Sequence, residues 1–155
     1  VPASDAAARR QSAWLGAELA LAAGQPQQAL DLVERHPAPQ LRPAVLLHAQ
    51  AQLALQRPAL ASERLQTWVT THPQDAQAWQ WLAQAWQAQN QPLRALRAQA
   101  EAQVAIRDFS AAQDRLKAAQ DLARRGGNQD HIEASIIDTR LRAVTELLRE
   151  EARKQ

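Results

Sequence analysis

Apolar residues along this chain recur three and four positions apart, and no stretch alternates in the manner of a strand. The first such run carries Ala13, Leu15, Leu19 and Ala23, with Ser4 or Asp5 ahead of it as a cap and Gly24 behind it as a left-handed stop. Pro26 then falls in the first turn of a second helix, where its missing N–H costs nothing, and that helix breaks near His36 at "ERHPAPQ". A third helix is expected over roughly Leu41 to Leu55, and a fourth from Pro58 to "THPQD". Asp75 caps a fifth, which Asn90 ends; Pro92 opens a sixth, Asp108 or Phe109 a seventh, and "RRGGN" closes that one. A last helix runs from Asp130 almost to the terminus, with Glu133 at the capping-box position.

Three of the connecting turns are nearly the same: "GQPQQAL", "QRPALAS" and "NQPLRAL". Their prolines, Pro26, Pro58 and Pro92, stand at intervals of 32 and 34 residues, a period that signals a repeat array. Turns this short make sequential helices antiparallel. The expected fold is therefore all-α, a right-handed solenoid of about eight antiparallel helices. Its repeats span 8–40, 41–74 and 75–107, followed by a partial unit 108–125 and a long terminal capping helix 130–153. Phe109 follows Pro92 by half a period, so the helix opened by Pro92 must serve two adjacent units.

Composition narrows the function classes. Leu, Ala, Gln and Arg dominate and there are only 4 Gly, a balance that favours helix. A sequence pI near 9.9 suggests nucleic acid, yet the formal net charge is only +2. With no Cys or Tyr and with Lys117 and Lys154 the only lysines, little titrates above neutrality, so a small excess of arginine lifts the pI far. No basic binding surface for nucleic acid follows. No apolar run is long enough to span a bilayer, and the first ten residues contain no apolar signal core. The chain starts at Val1 and contains no Met, so it is expected to be a fragment of a longer polypeptide.

The chemistry-bearing residues do not assemble into a catalytic pattern. His36, His48, His72 and His131 include no i, i+4 pair, and there is no H-E-x-x-H. No Gly-rich loop follows a strand, and no serine lies in a G-x-S-x-G context. Neither a catalytic residue, a metal ligand nor a cofactor is expected in this fragment.

A solenoid offers a groove instead, because stacked helix pairs curve and leave their first helices on the concave side. On the fifth helix Trp79, Leu82 and Trp86 share one face and are expected in the core. Trp81 lies about 200° from Trp79 around the helix. With Gln77, Gln80, Gln84 and Gln87 it forms a polar strip carrying one large aromatic, suited to an extended peptide; the alternative is that Trp81 packs near Leu46 or Leu53. Trp14, Glu18 and Gln50 extend the expected groove, and Arg94, Arg97 and Glu101 add charge to it unless they form an ordinary solvated face. The final helix carries its own stripe, Ile132, Ile136, Ile137, Leu141, Val144, Leu147 and Leu148, expected to cap the array rather than to await a partner helix.

Trp79, Leu82, Ala83 and Trp86, followed by Asn90, Pro92, Ala95 and Ala102, resemble the tetratricopeptide repeat. Val45, Ala49, Ala61, Leu65 and Pro73 repeat the pattern more weakly, and Ala13, Ala17, Gly24 and Ala29 more weakly still. Phe109, Ala112, Leu116 and Ala119 fall where a second repeat helix has its aromatic, small, large and small residues. From about Asp75 onward, the "AW-LA-A" helix, "LRAL-RAQAE", the "RDF--A---L--A" unit and the long "ID-RL" helix occur in an order similar to that of the beta-barrel assembly-enhancing protease family. These are periplasmic zinc metalloproteases with a tetratricopeptide tail. The resemblance covers half the chain. It implies a signal peptide and a zinc-bearing catalytic domain upstream, a periplasmic location, and a tail that docks on the outer-membrane assembly machinery or on unfolded beta-barrel substrates. The Lys and Asn clamp with which some tetratricopeptide proteins hold a C-terminal carboxylate is not found. The alternative is a free-standing cytoplasmic adaptor with no protease attached.

Overall fold

The computed structural model describes residues 3–126 and 130–155; the expected stop at Gly127 and Asn128 lies outside them. Eight helices and no strand occur among the described residues: α1 (Ala3–Ala22), α2 (Pro26–Arg35), α3 (Arg42–Ala54), α4 (Pro58–Thr71), α5 (Ala76–Ala88), α6 (Pro92–Ala105), α7 (Phe109–Arg125) and α8 (His131–Arg153). Ser4 and Asp5 lie inside α1, so neither caps it.

The recurring turn has one geometry. Gly24, Gln56 and Asn90 adopt left-handed φ values of 72°, 60° and 56°, each two residues before a helix-opening proline. The amide of the following residue reaches back to the helix it leaves: Gln25 to Ala20 O at 2.8 Å, Arg57 to Gln52 O at 2.8 Å, and Gln91 to Trp86 O at 2.9 Å. This satisfies carbonyls that a helix end would otherwise orphan, and the proline opening the next helix needs no N–H partner. A fourth copy stands at Arg107 (φ 63°), where Asp108 N donates to Gln103 O at 2.9 Å. It lacks the proline, and the Asp108 carboxylate instead accepts from Ala111 N at 3.0 Å. Asp75 and Asp130 cap α5 and α8 in the same manner.

The chain divides into two compact units, Val1–Trp68 and Val69–Gln155, with the boundary falling inside α4. In the first, α1 packs on α2 and α3, and α2 on α3. Its core is built largely of alanine, with Ala17, Ala29, Ala44 and Ala51 inaccessible and Leu30, Val33 and Leu47 filling between them. Side chains this small let helix axes approach closely. Leu15 and Leu19, expected to belong to the packing stripe of α1, do not: Ala13, Ala17 and Ala20 make it, and the two leucines are 61% and 72% exposed.

In the second unit α5 packs on α6, α6 on α7, α7 on α8, and α6 also touches α8. Thus α6 contacts all three other whole helices of its unit. Trp79 and Leu82 are buried as expected, and the Trp79 indole donates to Pro73 O at 3.0 Å. Ala100, Phe109, Ala112, Leu116, Ala119, Ile137 and Val144 form one core cluster, joined by the half-buried Leu141, Leu147 and Leu148. The α8 stripe splits, however. Ile132 is 78% exposed and Ile136 37%, so they turn away from the helices that α8 covers. Packing of each helix on its sequential neighbour is what a helical solenoid repeats.

Candidate functional site

The α5 strip stands in the second unit, and its geometry follows from helical period. Ala78, Trp79, Leu82, Ala83 and Ala85 take the buried face, leaving Gln77, Gln80, Gln84 and Gln87 exposed and Trp81 half-buried at the margin. Among the described residues the side-chain amides of Gln80, Gln84 and Gln87 and the Trp81 indole make no hydrogen bond with protein, so their hydrogen-bonding capacity is available. Trp86, expected wholly in the core, is half-buried, with the Arg94 guanidinium over its ring, Cζ 5.0 Å from the centroid.

The charged residues expected beside the glutamines are engaged elsewhere. Arg97 pairs with Glu133 of α8 through Nε and Oε1. Glu101 accepts two hydrogen bonds from Arg140 of α8, 2.6 Å from Nε and 2.8 Å from Nη2. Arg94 Nε approaches Asp130, the α8 cap, at 3.8 Å. Positions 94, 97 and 101 share one face of α6, and α8 with its cap meets that face with opposite charges, so these residues hold the terminal helix. Glu133 accordingly does not return to cap its own helix as a capping box would; it is buried against Arg97.

In the first unit Trp14 is half-buried against the alanine-rich core, under the Arg10 guanidinium at 5.5 Å, while Glu18 is exposed and Gln50 half-buried. The indole nitrogen of Trp14 and Nε of Arg10 are both buried without a partner. Sequence patterns did not single out a polar cluster in the same unit. Gln52 is buried in α3 beside His48, the two Nε2 atoms 3.3 Å apart. Burial first, and the Arg64 charge second, press the His48 pKa down to about 4. Arg64 is itself pushed below the usual guanidinium range by burial, which Glu34 partly opposes. It lines a cleft of about 210 Å³ with Glu34, Val33, Pro37, Ala38 and Pro39. A one-dimensional pattern could not have marked this cluster, since its members come from α2, α3 and α4.

A second cleft, about 280 Å³, opens between the Asn90–Leu93 turn and the end of α7 at Leu122, Ala123 and Gly126. Neither cleft includes the α5 strip. No group of three His, Asp or Glu side chains able to hold a metal comes together among the described residues. No helix among them is long and apolar enough to cross a membrane. Neither a family model nor a curated protein sequence matches this chain.

Proposed function

We propose that this chain is a protein–protein interaction module, a tetratricopeptide-like array forming the docking tail of a periplasmic zinc metalloprotease that acts in outer-membrane protein quality control. The α5 strip carries the docking reading: a half-buried indole flanked by exposed glutamines, of which Gln80, Gln84 and Gln87 keep their side-chain amides unpaired within the described residues. An extended or incompletely folded segment has unpaired peptide groups and alternating apolar side chains. The glutamines supply donors and acceptors for the first, and the Trp81 face supplies a platform for the second. Attachment to a protease rests on the resemblance of the chain from Asp75 onward. On that reading, zinc and catalytic residues belong to another domain, and this one holds the segment while that one cuts.

The docking reading is tested by titrating the protein with unfolded segments of an outer-membrane β-barrel. Trp81→Ala is expected to weaken binding at least tenfold with the helical circular dichroism unchanged; equal affinity in the variant removes Trp81 from the site. Attachment is tested by translating the reading frame upstream of the Val1 codon. An H-E-x-x-H motif there supports it, whereas a start codon immediately upstream leaves a free-standing adaptor.

A further inference from the structure

The outward leucines of α1 and the outward isoleucines of α8 belong to matching stripes. On α1, Ala8, Ser12, Leu15 and Leu19 are all exposed and step along the helix by four, three and four residues. On α8, Ile132, Ile136, Thr139 and Ala143 are likewise exposed and step by four, three and four. That spacing is the seam of a helix pair with knobs-into-holes packing. Laid antiparallel, the two stripes meet in four layers that match in size and polarity: Ala8 with Ala143, Ser12 with Thr139, Leu15 with Ile136, and Leu19 with Ile132. Thr139 already donates its hydroxyl to Ser135 O at 3.0 Å, so it enters its layer without an unmet donor.

We propose that the partner of each stripe is the other stripe on a second copy of this chain, so that copies associate head to tail through α1 of one and α8 of the next.

Helix dipoles support the direction, and the sizes of the paired side chains support the register. Antiparallel packing sets the N-terminus of α1 beside the C-terminus of α8, a favourable meeting of helix dipoles. Asp5 in the first turn of α1 comes level with Glu146 of the second copy, which is already held by its own Arg149 and Arg153, each at 3.6 Å. Asp5 thus meets a carboxylate that two arginines already hold, so the cluster of two carboxylates and two arginines is balanced. On one flank of the seam Gln11 meets Arg142 and Glu18 meets Ser135; on the other Arg9 meets Arg140, whose charge Glu101 of its own copy already offsets. Sliding by one turn is penalised: one direction carries Leu19 past the start of α8, the other sets Leu15 against Thr139. A single pair of helix faces buries no more than the roughly 1,000 Å² at the low end of specific interfaces, so association is weak and reversible.

The test is sedimentation velocity on the 155-residue chain and two surface variants, Leu19→Glu and Ile132→Glu. The parent is expected to self-associate as loading concentration rises, and each variant alone to remain monomeric. An equimolar mixture of the variants should form a one-to-one complex and nothing larger, because one retains its α8 stripe and the other its α1 stripe. That complex also requires both variants to be folded. Self-association of Ile132→Glu alone would mean that α1 pairs with α1, and that of Leu19→Glu alone that α8 pairs with α8; either overturns the proposal. A parent that stays monomeric at every concentration overturns it as well, whether the stripes remain bare or take another protein.

Discussion

Arg140 on α8 grips Glu101 on α6 with two hydrogen bonds, 2.6 Å from Nε and 2.8 Å from Nη2. The two residues are 39 positions apart, so the fork is a tertiary contact fixing where α8 lies on α6. Arg97 with Glu133 and Arg94 with Asp130 extend it along the same face. Ile137 and Val144 supply the apolar attachment of α8, which is not directional, and the ion pairs supply its register.

The most deeply placed of these pairs gives the first prediction. Glu133 is 4% exposed and Arg97 side-chain exposure is 16%, so removing one partner leaves the other charge without compensation in a poorly solvated site. Arg97→Met is expected to lower unfolding free energy by roughly 3 kcal/mol in urea titrations, and Arg97→Met with Glu133→Leu to recover most of it. A double variant no more stable than the single one would mean that the pair itself, and not the stranded carboxylate, sets the cost.

Helix limits were legible because they are local. Gly24, Asn90, Asp75, Asp108 and Asp130 announce their roles through backbone conformation or a side-chain oxygen reaching three residues on. The left-handed turns at Gln56 and Arg107 were not read directly, since neither residue type favours that conformation; the first was inferred from its proline, and the second has none. On α5 the split between the Trp79 face and the Trp81 margin followed from period alone. Which face of α1 or α8 is buried did not. In α1 alanines proved the packing residues and leucines the exposed ones, because close approach to α2 selects for smallness over hydrophobicity. The roles of Arg94, Arg97 and Glu101 were equally hidden, since charge on a helix face reads the same whether water or another helix meets it.

The left-handed turns make the second prediction. Nothing lies within 4 Å of a Cβ built on Gly24, so Gly24→Ala meets only the backbone penalty of φ 72° and should lose about 1 kcal/mol. Gln56, at φ 60°, already bears that strain. Gln56→Gly is therefore expected to raise stability by about 0.5 kcal/mol, part of the relief being offset by the greater freedom of glycine in the unfolded chain. Thermal unfolding of the two variants should move in opposite directions.

Close helix crossings make the third. Ala112 is fully buried between α7 and its neighbours, in one core cluster with Phe109, Leu116 and Ile137. Ala112→Leu adds three carbons at a fully buried position and is expected to cost roughly 1–3 kcal/mol. Ala118→Leu, on the exposed side of the same helix, should change stability by less than about 0.5 kcal/mol. Equal effects at both positions would mean that helices around α7 are free to spread.

Acid sensitivity is the fourth. With the Gln52 amide nitrogen 3.3 Å away as donor, His48 Nε2 is the acceptor, and the ring proton resides on Nδ1, which is buried without a partner. A second proton would put a charge in a half-buried site near Arg64, which is why the pKa falls from 6.5 to about 4. In the unfolded chain the ring takes its proton at the higher value. Between these limits the unfolded state binds more protons than the folded one, so the contribution of neutral His48 is full above pH 6.5 and is lost as pH falls toward about 4. Allowing for solvent screening at a half-exposed group, the loss is about 1–2 kcal/mol. His48→Phe should flatten that part of the stability–pH curve, and the ring resonances of His48 in the folded protein should titrate near pH 4. A midpoint near 6.5 would mean that Gln52 turns its free Oε1 toward the protonated ring and meets its charge at no cost in stability.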